Sequence, residues 1–223
     1  MGAGVVPLPC ENFVTHAQYH PAVQPPSPNT NFGCASVFAP IGANFVFIFE
    51  KNAVTPSALE IDFAPTPWAG RIGMSACPGS RVGVAFAEEV LVADVECLVR
   101  HGIRTVVSLL GDDELVRLGA KNLPHQLALH GVAWQQLPVK DFGVPNARAT
   151  IQWRSLLPEL TRTLESGPIL VHCAYGKGRT GTMVATLFTA WGWRSEEAIA
   201  WVRQHRKGAI ENPKQEAYVG GFT

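Results

Sequence analysis

The sequence predicts an α/β domain in which helices flank a mainly parallel central sheet. From about residue 57 onward, short apolar or alternating segments of strand type are followed by segments with helical periodicity. Such alternation is typical of a parallel sheet covered by helices. A short apolar run, Pro168–Val171, also leads through a glycine-containing loop into an apolar helix from Thr180 to Trp191. This order places the loop at the carboxyl end of a strand, where ligands bind in such folds.

Each predicted element has its own signal. Leu59–Phe63 alternates like a half-buried strand, and Arg71–Ser75 resembles a second one. Residues 86–101 carry an apolar helical face that stops at Gly102, and Thr105–Leu110 is a buried, β-branched strand. The remaining predicted elements are helical pieces near 112–119 and 123–130, a strand near Ala133–Leu137, a helix across 148–165 that Pro158 should kink or divide, a strand at Ile169–Cys173, and three C-terminal helical segments.

The chain has two regions of different composition. Among the first 49 residues only Glu11 is charged, and seven of the 17 prolines lie in the first 40. Residues 1–55 are therefore predicted to be a proline-rich, low-charge N-terminal extension of linker or disordered type. Residues 56–223 are predicted to form the folded domain.

Composition excludes several function classes. The 18 basic and 18 acidic residues cancel, which argues against nucleic acid or an anionic membrane as partner. No apolar run approaches the roughly 18 residues of a membrane span, and the N-terminus lacks a signal-peptide pattern. The five cysteines are widely spaced, odd in number and without a CxxC pair, so neither a disulfide framework nor a zinc site is expected. They favour a reducing compartment, and we expect a cytoplasmic location.

The loop after the apolar strand carries the chemistry. It places Cys173 six residues before Arg179, at the start of a helix. Free backbone N–H groups and the helix dipole form an anion cradle there, and this field favours the thiolate, the reactive form of cysteine. Arg179 can grip two oxygens of an oxyanion. The residues predicted to contact the anion are Ala174, Tyr175, Gly176, Lys177, Gly178 and Arg179. A nucleophile and an oxyanion clamp in one loop predict cysteine-dependent phosphoryl transfer.

The alternative is a buried core cysteine in a strand-to-helix turn. It explains neither Gly176 and Gly178 nor an arginine at a helix start, where the dipole disfavours cations. A bound anion explains both.

Asp141 is the candidate acid that protonates the leaving oxygen. It follows a predicted strand on a loop bracketed by prolines, 32 residues before Cys173, which is room for one helix and a return strand. That crossover would bring both loops to one edge of the sheet. Asp112 and Asp113 are rival carboxylates, but they resemble the acidic first turn of a helix and are predicted to be structural or substrate-facing.

Two neighbours of the loop have supporting roles. The Thr180 hydroxyl is predicted to donate to the Cys173 sulfur, or simply to cap the helix. His172 is predicted to brace the loop backbone or to tune the thiolate. It is not expected to transfer protons, because adjacent residues of a strand point to opposite faces.

The pattern His-Cys, five residues, Arg-Thr resembles the signature loop of the protein tyrosine phosphatase superfamily. The segments that match in family order span about 150 residues: Trp68–Gly73, Cys77–Gly79, the Asp141 loop, the Cys173 loop and Gly208–Gln215. The closest likeness is to dual-specificity phosphatases of the cyclin-dependent kinase inhibitor 3, or kinase-associated phosphatase, type.

The resemblance implies a dual-specificity phosphatase-like domain that hydrolyses phosphomonoesters through a cysteinyl-phosphate, without metal or other cofactor. It implies a phosphorylated protein or peptide as substrate, and it adds to the case for Asp141 as the acid. It also implies that Gln215 positions the water that hydrolyses the intermediate.

Other functions stay open. Lys177 adds charge to the loop, as in lipid phosphatases of the tensin-homologue type, but Ala174 stands where those have a second basic residue. A phosphoinositide or other small-molecule phosphatase is one alternative, and a non-catalytic module that binds phosphoproteins is another. A rhodanese-like enzyme is disfavoured by Asp141 and by the Gly-x-Gly-Arg-Thr-Gly loop.

Overall fold

The computed structural model describes residues 58–81 and 88–222. The predicted extension, residues 1–55, lies outside this described part. The strands are β1 (Ile61–Pro65), β2 (Arg71–Ser75), β3 (Thr105–Ser108), β4 (Ala133–Gln136) and β5 (Ile169–His172). The helices are α1 (Glu88–Arg100), α2 (Asp112–Arg117), α3 (Leu123–Leu129), α4 (Ala147–Ser166), α5 (Gly178–Ala190), α6 (Ser195–His205) and α7 (Pro213–Gly220).

The five strands form one sheet in the order β1-β2-β5-β3-β4. The pairs β2–β5, β5–β3 and β3–β4 are parallel, and β1 runs antiparallel to β2 at one edge. Every residue of the central strands β3 and β5 is buried, as expected for parallel strands covered on both faces. The predicted α/β class, with a mainly parallel sheet flanked by helices, is confirmed.

The strand register explains where a functional site can form. His172 of β5 is paired with Ser75 of β2 on one side and with Ser108 of β3 on the other, and Ser108 is paired with Gln136 of β4. Since these strands are parallel, the segments that follow all four residues leave the sheet at the same edge. Distant parts of the chain therefore meet there.

Helix α5 anchors this edge to the core. All of its residues except Ala190 are buried, because it packs against the sheet, α6 and α7. The ring of Phe188 packs against the ring of Trp191, and Trp153 of α4 donates from Nε1 to the Thr186 hydroxyl at 2.8 Å. Burying its large apolar side chains contributes about 1.5–3 kcal/mol each. The loop before α5 therefore rests on a rigid helix.

One of the two predicted effects of Pro158 is wrong. Pro158 was expected to kink or divide the helix before β5, and it does not divide it, because α4 runs unbroken from Ala147 to Ser166. The kink stays a prediction. Proline removes one backbone N–H from the helical hydrogen-bond pattern. Pro158 and Arg154, the residue four positions before it, are both exposed, so water has access to the backbone there. None of the helices in the described ranges is long and apolar enough to cross a membrane.

Candidate active site

Cys173 begins the loop that joins β5 to α5. Only 3% of Cys173 is exposed, and the backbone N–H of Gly176 donates to the Cys173 sulfur at 3.3 Å. Gly176 has φ of +69°, and a Cβ at this position would collide with the carbonyl of Ser75. A side chain on Gly178 would collide with the Glu211 carboxylate. Close packing against backbone atoms thus requires glycine at position 176, whereas at position 178 the neighbouring atoms are side-chain ends that can move.

Arg179 is buried, with 2% of its surface exposed, and is held by partners from two other segments. Its Nη1 donates to both carboxylate oxygens of Glu114, at 2.9 and 3.1 Å, and to the Val139 carbonyl at 3.0 Å. Its Nη2 lies 3.0 Å from Oδ1 of Asp141. The structure therefore brings the predicted clamp and the predicted acid together.

Glu114 is a site residue that the sequence reasoning missed. Glu114 lies in the acidic first turn of α2, where its Oε2 accepts from the Gly111 N–H at 3.4 Å. The same carboxylate also fixes the guanidinium of Arg179. The available signal was a glutamate in the first helical turn after β3, at the carboxyl edge of the sheet. Among the described residues, neither Asp112 nor Asp113 bonds to Arg179, and Oδ1 of Asp112 accepts from Gln136 Nε2 at 2.8 Å.

Asp141 lies on a tight turn that is tied to α7. Its side chain is 55% exposed, and its Oδ1 accepts from the Phe142 N–H at 3.1 Å. Phe142 has a positive φ of +53°, and its carbonyl accepts from Asn212 Nδ2 at 3.1 Å. The next carbonyl, that of Gly143, accepts from Gln215 Nε2 at 3.3 Å. The N-terminal end of α7 therefore holds the turn that carries the acid.

Gln215 is fully buried, and both ends of its side-chain amide are engaged. Besides the bond to Gly143, its Oε1 accepts from the Glu211 N–H at 2.8 Å. Its role as positioner of the hydrolytic water stays a prediction. In the present arrangement it supports the Asp141 turn, and a role with water would require it to exchange one of these partners.

Thr180 and His172 lie beneath the loop. Both are fully buried. The Thr180 hydroxyl has no hydrogen-bond partner among the described residues, so the predicted donation to the Cys173 sulfur would need a rotation of its side chain. Burial lowers the pKa of His172 from 6.5 to about 4, and the charge of Arg179 acts in the same direction. A neutral, enclosed imidazole is poorly suited to proton transfer. Neither ring nitrogen has a hydrogen-bond partner among the described residues, so the bracing of the loop by His172 stays a prediction.

Cys77 lies behind the loop, on the segment after β2. Its backbone N–H donates to the Ala174 carbonyl at 3.2 Å. Burial raises the pKa of the Cys77 thiol, and negative charge on Cys173 and on Glu114 raises it further.

The rim of the site combines aromatic and charged side chains. Tyr175 and Phe142 are 63% and 66% exposed, and Lys177 and Lys140 are also exposed. An open cleft of about 560 Å³ lies beside the acid, lined by Gly111, Asp112, Asp113, Glu114, Arg117, Lys140 and Asp141. Within the described ranges, no three His, Cys, Asp or Glu side chains converge as metal ligands.

Comparison with known proteins gives a consistent picture. The family model described as "PTP-SAK: Swiss Army Knife protein, DSP-PTPase phosphatase domain" matches residues 84–219. Protein tyrosine phosphatase type IVA 3 of Mus musculus is 34% identical over 125 residues, which are 56% of this chain and 67% of that protein. Protein tyrosine phosphatase domain-containing protein 1 of Mus musculus is 28% identical over 138 residues. This chain covers 18% of the length of that relative and 17% of its Bos taurus counterpart.

Solved structures share the fold. The structure of kinase associated phosphatase with its catalytic cysteine replaced by serine superposes with a TM-score of 0.66 at 24% identity, covering 75% of this chain and 95% of that one. The active form of Tk-PTP gives a TM-score of 0.51 at 28% identity, covering 67% of this chain and 89% of that one.

Proposed function

Because the chain belongs to the DSP-PTPase family of phosphatase domains, we propose that it is a metal-independent phosphomonoester hydrolase that works through a cysteinyl-phosphate. The observation that carries the proposal is the ion pair between Arg179 and Asp141 at the mouth of the Cys173 loop. Nucleophile, oxyanion clamp and acid are the three groups that this chemistry needs, and they come from two loops at one edge of the sheet.

The first step begins with an exchange of partners. Arg179 Nη1 is occupied by Glu114 and Val139, so Nε and Nη2 are left for the oxygens of an incoming phosphate, and of these Nη2 is the one that Asp141 holds. A phosphate dianion competes with Asp141 for that nitrogen, and the exposed carboxyl group is then released to turn toward the leaving oxygen. The Cys173 sulfur attacks phosphorus. The S–P bond forms as the P–O bond to the leaving group breaks. Asp141, which takes up a proton from solvent once it has left Arg179, gives that proton to the leaving oxygen.

The second step restores the enzyme. Water attacks the cysteinyl-phosphate, the S–P bond breaks, and the thiolate of Cys173 departs while Asp141 takes the proton from the water. Gln215 is the candidate that positions this water, and Thr180 is the candidate donor to the departing sulfur. Loop N–H groups of residues 174–179 hold the phosphoryl oxygens throughout, as an oxyanion hole does.

The substrate that we propose is a phosphorylated protein or peptide. We also propose that the domain itself is of the dual-specificity, kinase-associated phosphatase type. The order of the matching sequence segments supports this subtype. Exposed rings at Tyr175 and Phe142 offer apolar surface beside the phosphate site, which suits the ring of phosphotyrosine. A cytoplasmic location is part of the proposal, supported by the free thiols of Cys77 and Cys97.

A second candidate is a phosphatase for phosphoinositides or other small polyphosphates. It is favoured by the exposed Lys177 within the loop and by the exposed Lys140 beside Asp141. Each could contact a further phosphate group on the substrate.

Phosphate release tests the proposal. The purified chain should hydrolyse para-nitrophenyl phosphate in the presence of a metal chelator, and Cys173→Ser should abolish turnover while it still binds inorganic phosphate. Asp141→Ala should slow the first step by roughly 10²–10⁴-fold, the usual contribution of acid catalysis. Full activity of Cys173→Ser would overturn the mechanism. Binding of phosphotyrosine peptides without any release would identify a non-catalytic module. A panel of phosphopeptides and phosphoinositide vesicles separates the two candidate substrate classes.

A further inference from the structure

Arg206, just after α6, reaches the backbone of the phosphate loop from a distant part of the chain. It is 7% exposed. Its Nε donates to the Gly176 carbonyl at 3.0 Å, and its Nη2 donates to the Tyr175 carbonyl at 3.2 Å. Its Nη1 donates to Oδ2 of Asp62 in β1 at 2.9 Å. One guanidinium therefore joins two consecutive carbonyls of the loop to the edge strand of the sheet.

The direction of these two carbonyls decides where the loop N–H groups point. In a trans peptide group the C=O and the N–H point in opposite directions. The peptide group between Tyr175 and Gly176 has its carbonyl on Arg206 and its N–H on the Cys173 sulfur, at 3.3 Å. By the same rule, the bond from Arg206 to the Gly176 carbonyl turns the Lys177 N–H away from the guanidinium.

We propose that Arg206 is a positioning residue for phosphate binding and for the thiolate, acting through the loop backbone without touching the substrate. This inference rests on the function proposed above. It assigns two arginines to the site with different tasks: Arg179 meets the phosphate oxygens, and Arg206 fixes the peptide groups that surround them.

Asp62 completes the arrangement. A buried guanidinium without a partner is strongly unfavourable, so the carboxylate on β1 is what allows Arg206 to lie beneath the loop. The fork geometry matters as well as the charge. A guanidinium can donate to two neighbouring carbonyls at once from separate nitrogens, whereas the ammonium of a lysine is a single point. Lysine at this position would keep the charge but could not donate hydrogen bonds to both carbonyls in the same way.

The experiment compares the full-length parent with Arg206→Lys and Arg206→Met. Three assays are used: calorimetry for the affinity for inorganic phosphate, steady-state kinetics for kcat and KM with para-nitrophenyl phosphate, and alkylation by iodoacetamide for the pH midpoint of Cys173. We expect both variants to bind phosphate roughly 10- to 100-fold more weakly, the effect of losing a hydrogen bond to a charged group. We also expect the alkylation midpoint to move to higher pH, because the Gly176 N–H no longer faces the sulfur. Arg206→Lys keeps the charge and the aliphatic stem, so it is expected to fold. Weaker phosphate binding in this variant would therefore reflect the lost hydrogen bonds to the loop carbonyls rather than unfolding.

Arg203→Met is the matched control. Arg203 lies in α6 and also grips two backbone carbonyls, those of Ala209 at 3.1 Å and Ile210 at 2.8 Å, but neither belongs to the phosphate loop. It should lower thermal stability while the phosphate affinity and the alkylation midpoint stay at the parent's values.

Two results would overturn the inference while the proposed function stands. One is folded Arg206 variants that match the parent in phosphate affinity and alkylation midpoint. The other is an Arg203→Met variant that shifts both quantities as much as Arg206→Met does. A parent chain that neither binds nor releases phosphate would instead refute the proposed function, and this inference with it.

Discussion

The replacement of Gly176 by alanine tests how closely the phosphate loop is packed. This glycine has φ of +69°, a left-handed conformation that L residues rarely adopt. A Cβ there would collide with the Ser75 carbonyl and would lie 2.7 Å from the Ala76 nitrogen. Both are backbone atoms at the end of β2, so no side-chain rotation relieves the contact. The loop itself must move.

The loss of stability expected in Gly176→Ala has two separable causes, the left-handed backbone and the collision of the new Cβ. The left-handed backbone costs any L residue about 1–2 kcal/mol. Gly102, which follows α1, has a similar φ of +73°, and a Cβ there meets nothing within 4 Å. Gly102→Ala therefore has only the conformational cost, whereas Gly176→Ala adds the collision. The difference between the two variants measures the packing of the loop.

The catalytic consequence is larger than the loss of stability. The Gly176 N–H donates to the Cys173 sulfur, and the Gly176 carbonyl is held by Arg206, so a shifted loop disturbs both contacts. A misplacement of about 1 Å in a reacting group can lower a rate by about 10²-fold. We therefore expect kcat/KM for para-nitrophenyl phosphate to fall by about 10²-fold in Gly176→Ala and to be unchanged in Gly102→Ala. Thermal unfolding should show both variants destabilised.

A Gly176→Ala variant with the parent's kcat/KM would refute this reasoning. So would an equal loss of activity in both variants, because the effect would then come from general destabilisation.

Two further predictions concern buried charge. Glu114→Gln gives Arg179 one acceptor oxygen in place of two and removes the negative charge. This loss of about 1.5–3 kcal/mol should lower kcat/KM by roughly 10- to 100-fold. Glu159→Gln, on the exposed face of α4, is the control, and equal kinetics in the two variants would contradict the role of Glu114. The pKa of His172 falls from 6.5 to about 4 on folding, so below pH 6.5 the unfolded chain binds a proton that the folded chain does not. Stability should therefore decline as the pH falls from 6.5 to about 4, by up to about 3 kcal/mol. Urea unfolding of the parent and of His172→Gln at several pH values checks this, since carboxylate effects common to both cancel, and parallel curves would contradict it.

Local sequence signals were sufficient for the phosphate loop. The apolar strand, the loop glycines and the apolar helix are neighbours in the chain, so the position of Cys173 at a strand end follows from short-range patterns. Asp141 needed one further argument, the length of the crossover between parallel strands, and the structure places its carboxylate at Arg179.

The supporting contacts could not be predicted in this way. Glu114 is 65 residues from Arg179, and Arg206 is 30 residues from Gly176. Their acidic and basic side chains match ordinary helix-end preferences, so the local pattern was already explained without a role in the site. Pro158 shows the converse. The local rule for proline predicted a kink or a boundary, and the helix continues through Pro158 at an exposed position.

The most direct test of the central claim is to look for the covalent intermediate. The parent chain is mixed with a phosphomonoester, quenched rapidly in denaturant, and digested for mass spectrometry. We predict one phosphoryl group on the peptide that contains Cys173, absent from Cys173→Ser under the same conditions. Phosphate release with no modification of that cysteine, or with the phosphoryl group on another residue, would contradict the account.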